Sequence, residues 1–411
     1  MSDAEPPPPP GSDAAGTGTA EAEPADHKRP DTDDKPSRLT TTANAAVLPL
    51  LAFVSALIIG MFVIALSDVD KLREGDFGGI LTTIRDAYVG LVEGAFFSMR
   101  GFNETLVSTT PLLLAGLAVA ITFRAGLFNI GGTGQMLIGG AGAVFVGFSM
   151  NGPGIIQVPL AVMAGMVCGM AYGIIPGLLK AKSGVHEVIS TIMLNFIAAS
   201  FVLWLLKTDA YRREGRQDPI SKLVEDEGRL FKLFGFLNRP ELRAHAGFLI
   251  AIGAAIFFWW LLERTTIGFE LRAQGANSDA ARYAGMKPAT LIVIAFALAG
   301  AFAGLAGASE VLGTEGRATQ SFAGSTGFDA IAVALLGRST PLGTVLSAFL
   351  FGALQSGGQK MQVETGVPVD LVLILRALIV LFIAAPALIK LIWKIPGIGS
   401  TAMPSFSGWG S

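Results

Sequence analysis

The sequence predicts an all-α, polytopic membrane protein of about ten transmembrane helices, and three observations carry that prediction. Of 411 residues, 51% are hydrophobic and only 15% charged, where a soluble domain holds about a quarter charged residues. The apolar residues gather into long runs, many close to the ~20 residues that a bilayer core of ~30 Å demands of a helix. The charges fall between these runs and in a leader instead of being spread along the chain.

The leader, residues 1–44, has no apolar run, holds five consecutive prolines from Pro6 to Pro10, and carries nine acidic against four basic side chains. Such a composition buries too little apolar surface to offset chain entropy, so the leader is expected to be disordered. It lacks the basic start and short apolar stretch of a secretory signal. The chain as a whole is only −2, so the remainder is net basic.

A transmembrane domain is expected over 45–394, with a tail at 395–411. Apolar runs occupy 46–66, 106–123, 130–150, 155–179, 187–206, 248–262, 290–312, 322–336, 342–357 and 371–393. Charged stretches follow the first and fifth runs. The run 322–336 is interrupted by Asp329 and several glycines; it either crosses or re-enters as a half-helix, which leaves nine crossings. Basic residues divide almost evenly between the two sides, so the positive-inside rule does not choose an orientation.

Glycine is abundant, 51 residues, and recurs at helical spacing. Gly165, Gly169 and Gly173 share one face, as do Gly300 and Gly304, which lets neighbouring helices approach closely.

Several chemistries are excluded. One cysteine, Cys168, and three histidines support neither a disulfide framework nor a Cys/His zinc cluster. The near-neutral charge gives no nucleic-acid footprint. Lys182–Ser183 follows Ala181 where a phosphate loop needs glycine, and the pattern from Gly132 and Gly134 meets Leu137 where a third glycine belongs. No metal, bound cofactor or catalytic residue is expected in this chain.

Two polar features stand out. Glu187, Ser190, Thr191 and Asn195 fall at i, i+3, i+4 and i+8, on one side of a helix. Polar groups are costly in lipid, so this side faces protein or water. It either lines a solute path or supplies hydrogen bonds between helices. Asn129 and Gln135 flank Gly131, Gly132 and Gly134, a composition that favours non-helical backbone, allowed at membrane depth only when buried in protein or lining water. Glu310, near the end of its run, either bonds a solute hydroxyl or reaches the interface. Asn129, Gln135, Glu187, Ser190, Thr191, Asn195 and Glu310 are the candidate path residues. Arg376, inside the last run, pairs with a carboxylate or lines a cavity.

The loop 264–288 lies between two runs. Asn277 suits an N-cap, Asp279 the first turn, and Gly285 a left-handed end, which gives about two turns over 278–284. Ala280, Ala281 and Ala284 make a small-residue face, with Arg272, Arg282 and Lys287 around it. Such a knob fits a cleft on another protein, or is a capped surface turn.

This loop also carries a resemblance. RAQGANSDAARYAGMKPATL, 272–291, looks like the coupling loop of permease subunits of ATP-binding-cassette importers, in the branch serving simple sugars, nucleosides and branched-chain amino acids. FRAGLFNIGGTGQ, 123–135, is similar to a loop of the same branch. GVHEVISTIMLNFIA, 184–198, and GFDAIAVALLGRSTPLG, 327–343, resemble its nucleoside-type members. The likeness runs from about Leu106 to the last apolar run and leaves the leader uncovered. His186, where a smaller polar residue such as Asn is expected, and Arg376 depart from the pattern.

The resemblance implies a type II importer-like permease fold in the cell membrane, with the loop 264–288 cytoplasmic. Arg272, Gly275, Asn277, Ala280, Ala281, Arg282 and Gly285 would couple it to a separate cytoplasmic ATPase, which uses the ATP and magnesium. Both termini would then be cytoplasmic and the charged loop 209–245 extracytoplasmic. Further implied partners are a second related permease in a heterodimer and an extracytoplasmic substrate-binding lipoprotein; the solute is a nucleoside or related simple sugar. The alternative is an ion-gradient-driven transporter or channel, which predicts titratable groups deep in the spans; most acids here sit at span ends or in loops.

Overall fold

Apolar helices make up nearly all of the computed structural model, which describes residues 38–67, 69–150, 152–368 and 370–393. Two units meet at Ala43. The first, Met1–Ala43, enters the described residues only as the opening turns of helix α1, Arg38–Ser67. Residues 38–44 of the expected leader are therefore helical; its earlier part, and the tail 395–411, lie outside the described residues.

The second unit continues α1 and adds α2 (Val69–Glu74), α3 (Phe77–Val92), α4 (Met99–Arg124), α5 (Gly132–Ser149), α6 (Gly154–Ser183) and α7 (Glu187–Lys207). After a long loop come α8 (Gly247–Arg264), α9 (Thr266–Ala276), α10 (Ser278–Tyr283) and α11 (Pro288–Ser309). The chain closes with α12 (Thr326–Leu336), α13 (Pro341–Thr365), α14 (Asp370–Ala384) and α15 (Pro386–Trp393).

Six helical stretches among the described residues are long and apolar enough to cross a bilayer: Leu50–Ser67, Met99–Arg124, Gly154–Ser183, Glu187–Lys207, Gly247–Arg264 and Pro288–Glu315. Glycine dilutes the apolar content of α5. The last expected run, 371–393, divides at Ala385, because a helix rarely continues through the residue before a proline, here Pro386.

Helix α4 is the axle of the bundle. Its apolar window is 94% buried against 22% for Gly154–Ser183, so α4 packs on helices all round while α6 keeps an open face. Pro111 removes one backbone donor from α4. The hydroxyls of Thr109 and Thr110 donate back to the carbonyls of Thr105 and Leu106, at 2.6 and 2.8 Å, which supplies donors that the proline withholds nearby.

The glycine faces read from the sequence meet each other. A Cβ on Gly169 would lie 2.6 Å from the Cα of Gly304, and one on Gly173 would lie 3.0 Å from the Cα of Gly300. Gly139 of α5 enters the same contact beside Gly165 and Gly304. Helices α5, α6 and α11 thus touch backbone to backbone, which maximises dispersion contacts where lipid offers no hydrophobic drive.

Helix α3 is not among the expected spans, because Arg85 and Asp86 interrupt its apolar residues. Asp76 caps it, accepting from Gly79 N at 2.9 Å, and a π turn, Glu93–Phe97, joins it to Ser98, the cap of α4. Gly90 and Gly94 let it lie on α13, where a Cβ would reach within 3.3 Å of Met361 Cα and 3.1 Å of Gly357 Cα. Ser356 donates to the carbonyls of Gly94 and Gly101 at 3.2 and 2.9 Å, satisfying backbone that the π turn leaves open.

The loop 208–246 is tied down, although little of it is helical. Ser221 N donates to Ala318 O at 3.0 Å, Val224 N to Gly316 O at 3.0 Å, and Leu230 N to Leu312 O at 3.1 Å. Tyr211 stacks on Phe145, with centroids 5.3 Å apart, and burial pushes its phenol up to about 12.

The segment that the sequence left open, 322–336, passes from one end of the bundle to the other. The chain enters it from Gly316, held to the long loop, and the Phe322 ring meets Gly140 in the middle of α5. Gly327 lies against Thr133 near the start of α5, and Ser339 O accepts from Arg124 Nε, at the last residue of α4, at 2.8 Å. Only Thr326–Leu336 of this passage is α-helical; the rest is turn and extended chain. After it, Arg338 and Ser339 both take left-handed backbone, φ 52° and 50°, which costs about 1 kcal/mol or more per residue for side chains with a Cβ.

Candidate functional site

Four of the seven path candidates come together where α7 meets the loop before α5. Asn195 accepts from Gly134 N at 2.8 Å and donates to Ile130 O at 2.9 Å. Thr191 Oγ1 accepts from Ile130 N at 3.4 Å. Asn129 donates to Gln135 Oε1 at 3.2 Å and accepts from Gly131 N at 2.9 Å. Gly134 allows the approach: a Cβ there would lie 2.9 Å from Asn195 Oδ1. The backbone is non-helical over 127–130, as the glycine pattern suggests; Thr191 and Asn195 satisfy the N–H and carbonyl of Ile130, and Leu127 N donates to Thr122 O at 2.9 Å.

These groups bond one another more than they face a solute. Asn129, Gln135, Thr191 and Ser190 are buried within the chain, and Thr191 and Asn195 hold α7 to the start of α5. Ser190 and Thr191 donate back to Glu187 O, at 3.1 and 2.7 Å. Glu187 pairs with Lys180 at 2.9 Å across the α6–α7 turn.

Glu310 lies apart from this group, at the opposite end of the bundle, where α11 passes into a π turn, Glu310–Glu315. The charges of Arg243 and Glu315 act on it, and that of Arg243 also acts on the buried His245. Arg243 holds Glu104 with Nε to Oε1 at 3.0 Å; the hydrogen bond to Glu104 raises the Arg243 pKa above its ordinary value. Asn103 Oδ1 accepts from Arg243 N and Ala244 N, at 2.7 and 3.0 Å. His245 Nδ1 accepts from Gly247 N at 3.2 Å, and Nε2 lies 3.3 Å from Thr314 Oγ1. Burial, aided by the Arg243 charge, pushes the imidazole down to about 4.

The knob at 278–284 forms as its local signals suggest. Asn277 accepts from Asp279 N and Ala280 N, both at 3.0 Å, and Gly285 ends the turn at φ 89°. Two features differ from the sequence reading. A second helix, α9, fills 266–276, where Thr265 caps it through Gly268 N at 3.1 Å. Ala281 is buried, whereas Ala280 and Ala284 are exposed, so the expected three-alanine face is split and Ala281 faces inward. Tyr283, 97% exposed, projects instead. Arg272 pairs with Glu263 at 2.8 Å, and Arg282 is exposed. Gly275 packs flush on the end of α4: a Cβ there would lie 3.0 Å from the Ala125 carbonyl carbon, and Gly126, at φ 73°, faces it.

Arg376 has its partner on α12. Its Nη1 lies 3.1 Å from Asp329 Oδ2, and its Nη2 donates to Gln355 Oε1 at 3.1 Å and Phe351 O at 3.4 Å. Ser325 donates to the same Asp329 oxygen at 3.0 Å. The sequence singled out both charged residues but could not pair them. Among the described residues, no three His, Cys, Asp or Glu side chains are grouped to hold a metal.

The family model for the branched-chain amino acid transport system / permease component matches residues 101–384. The chain belongs to this family. It is a multi-pass membrane permease component and not itself an enzyme. The permease is similar to the guanosine ABC transporter permease protein NupP of Bacillus subtilis, 39% identical over 84% of this chain and 95% of the relative. It is 35% identical to the glucose ABC transporter permease protein TsgB13 of Haloferax volcanii, over 83% of this chain and 88% of that one. A second Bacillus subtilis protein, the guanosine ABC transporter permease protein NupQ, is 26% identical over 61% of this chain and 79% of its own length. No solved structure matches the permease.

Proposed function

We propose that the permease forms one half of the path of an ATP-driven importer for nucleosides or related simple sugars, and that α9 and α10 dock in a groove of a separate ATPase. The observation that carries this reading is the knob itself. A short capped helix with an exposed aromatic tip, α10, follows directly on α9, which rests through Gly275 on the backbone at the end of α4. A push on α10 therefore reaches the loop 125–131, which Thr191 and Asn195 hold to α7. Arg272, Gly275, Asn277 and Gly285 set the shape of the knob; Ala280 and Arg282 meet the ATPase, and Ala281 anchors it from within.

In this reading the α9–α10 end is cytoplasmic, both termini lie on that side, and the chain crosses the cell membrane ten times, with 316–339 as one discontinuous crossing. ATP and magnesium are consumed by the ATPase. The long loop 209–245 and the Glu310 region face the other side and receive a substrate-binding lipoprotein. Asn129, Gln135, Thr191 and Asn195 act on the path by fixing the bent backbone before α5, and Glu187 and Ser190 act on it by setting the start of α7. The names of the relatives NupP and NupQ, two guanosine permeases of one organism, support pairing with a second, different permease. Guanosine and glucose in the relatives' names support a polyhydroxylated solute.

The test is uptake of radiolabelled guanosine and glucose by vesicles holding the permease with its ATPase, second permease and binding protein. ATP-dependent accumulation of either supports the reading; accumulation of neither, by an assembled complex that hydrolyses ATP, contradicts it.

A further inference from the structure

Of the candidate path residues on α7, Thr191 and Asn195 are engaged with α5 and the loop before it, Ser190 with its own helix and Glu187 with Lys180, so polar groups with free bonding capacity are sought elsewhere. They are found on the discontinuous passage. Gln320, Ser321, Gly324 and Ser325 are exposed along its non-helical part. The first turn of α12 then presents Asp329, whose side chain is 19% exposed. Across from it, Gln355 of α13 is exposed, and Arg376 of α14 lies behind both, 6% exposed.

Two physical arguments say what covers this surface. Non-helical backbone at membrane depth is tolerated only where it is buried in protein or lines water, because lipid cannot bond its amides. A carboxylate, two amides and hydroxyls facing acyl chains would each cost free energy as well. Lipid is therefore excluded. We propose that this wall, formed by 320–325, Asp329 and Gln355, is where the permease touches its solute, and that the ligand it takes is a vicinal diol. The proposal rests on the reading of the permease as a solute path.

The chemistry of the wall selects that ligand. Arg376 and Ser325 both occupy Asp329 Oδ2, and Oδ1 has no hydrogen bond among the described residues. Arg376 also occupies Gln355 Oε1, which turns the amide so that Nε2 is the free end. An acceptor that is charged and a donor that is neutral stand together, both oriented by one buried guanidinium. Adjacent hydroxyls, each able to donate and accept, match that pair. Ribose and hexoses both carry such a diol, while a nucleobase alone does not. Arg376 is a positioning residue: its Nε is buried without a partner, and it reaches the solute only through Asp329 and Gln355.

The test uses the assembled complex in nanodiscs and 8-azidoguanosine as a photoreactive probe, with the labelled peptides mapped by mass spectrometry. Labelling within 316–329 or 355–376, displaced by guanosine but about a hundredfold less well by 2′,3′-dideoxyguanosine, is expected; each lost hydroxyl contact accounts for roughly tenfold. Asp329→Asn should lower labelling by about tenfold and erase most of the preference for the diol. Gln355→Leu, which leaves the Arg376–Asp329 pair intact, gives a second reading should Asp329→Asn fail to assemble. Label confined to α5 and α7 or to the second permease, or equal displacement by the dideoxy compound, overturns the proposal and leaves the importer reading standing. An assembled, ATP-hydrolysing complex that takes no label and transports neither guanosine nor glucose overturns both.

Discussion

The guanidinium of Arg376 on α14 sits 3.1 Å from the carboxylate of Asp329 on α12, and the same side chain holds Gln355 on α13. Three helices at the end of the chain are thus joined around one ion pair whose guanidinium is buried and whose carboxylate is partly open. An ion pair removed from water contributes little net stability, but either charge alone is costly. Arg376→Leu should lower the folded yield and melting temperature, by about 3–5 kcal/mol in stability. Leucine at both positions should recover most of that loss while uptake stays absent, since the diol-binding carboxylate is gone. Size-exclusion profiles and uptake, measured together on the single and double variants, check this.

Contact between α6 and α11 depends on atoms that glycine lacks. Gly304→Val places a side chain into the backbone of Gly165 and Gly169, so the helices must separate. Overpacking of this kind costs about 1–3 kcal/mol, and the variant should melt earlier, whereas Gly253→Ala, with nothing within 4 Å of its would-be Cβ, should be close to neutral. Thermal shift assays of the two variants provide the comparison.

At the knob, exposure separates docking from folding. Ala280→Asp adds a charge on the exposed side and should abolish copurification of the ATPase while leaving the permease as stable as before. Ala281→Asp buries that charge and should destabilise α10 itself, by several kcal/mol if the carboxylate finds no partner. Pull-down and melting curves on both variants separate the two effects.

His245 ties the long loop to the start of α8 and to the π turn after α11 in its neutral form. Its folded pKa, about 4, lies below the ordinary 6.5, so the unfolded chain binds the proton more readily. Stability is then fully present above pH 6.5 and falls as the pH drops toward 4, by about 2 kcal/mol at pH 5 if loop release exposes the ring. His245→Gln should flatten the pH dependence of melting between pH 7 and 5.

Much of the bundle was legible because hydropathy and spacing are local properties. The long apolar helices, the glycine faces, the Asn277 cap and the left-handed Gly285 all follow from residues read within one or two turns. What escaped depends on partners distant in the chain. Helix α3 gains its place from Gly90 and Gly94 lying on α13, and Arg85 and Asp86 hide it from any hydropathy sum. The stripe on α7 was visible as a stripe, but whether it faced water or α5 rested on Asn195 meeting Gly134, 61 residues away. Asp329 and Arg376, 47 residues apart, were each conspicuous and could not be joined. Ala281 is buried beside α9, itself unforeseen, while the local spacing treated all three alanines alike.

In the proposed importer an attached ATPase drives solute through this permease. Vesicles containing the complete complex, loaded with ATP on the side of α9 and α10 and given radiolabelled guanosine on the other, test it most directly. Accumulation that requires ATP, ignores a protonophore and disappears with Ala280→Asp is the predicted result. Uptake that persists without ATP and collapses with the ion gradient would contradict it.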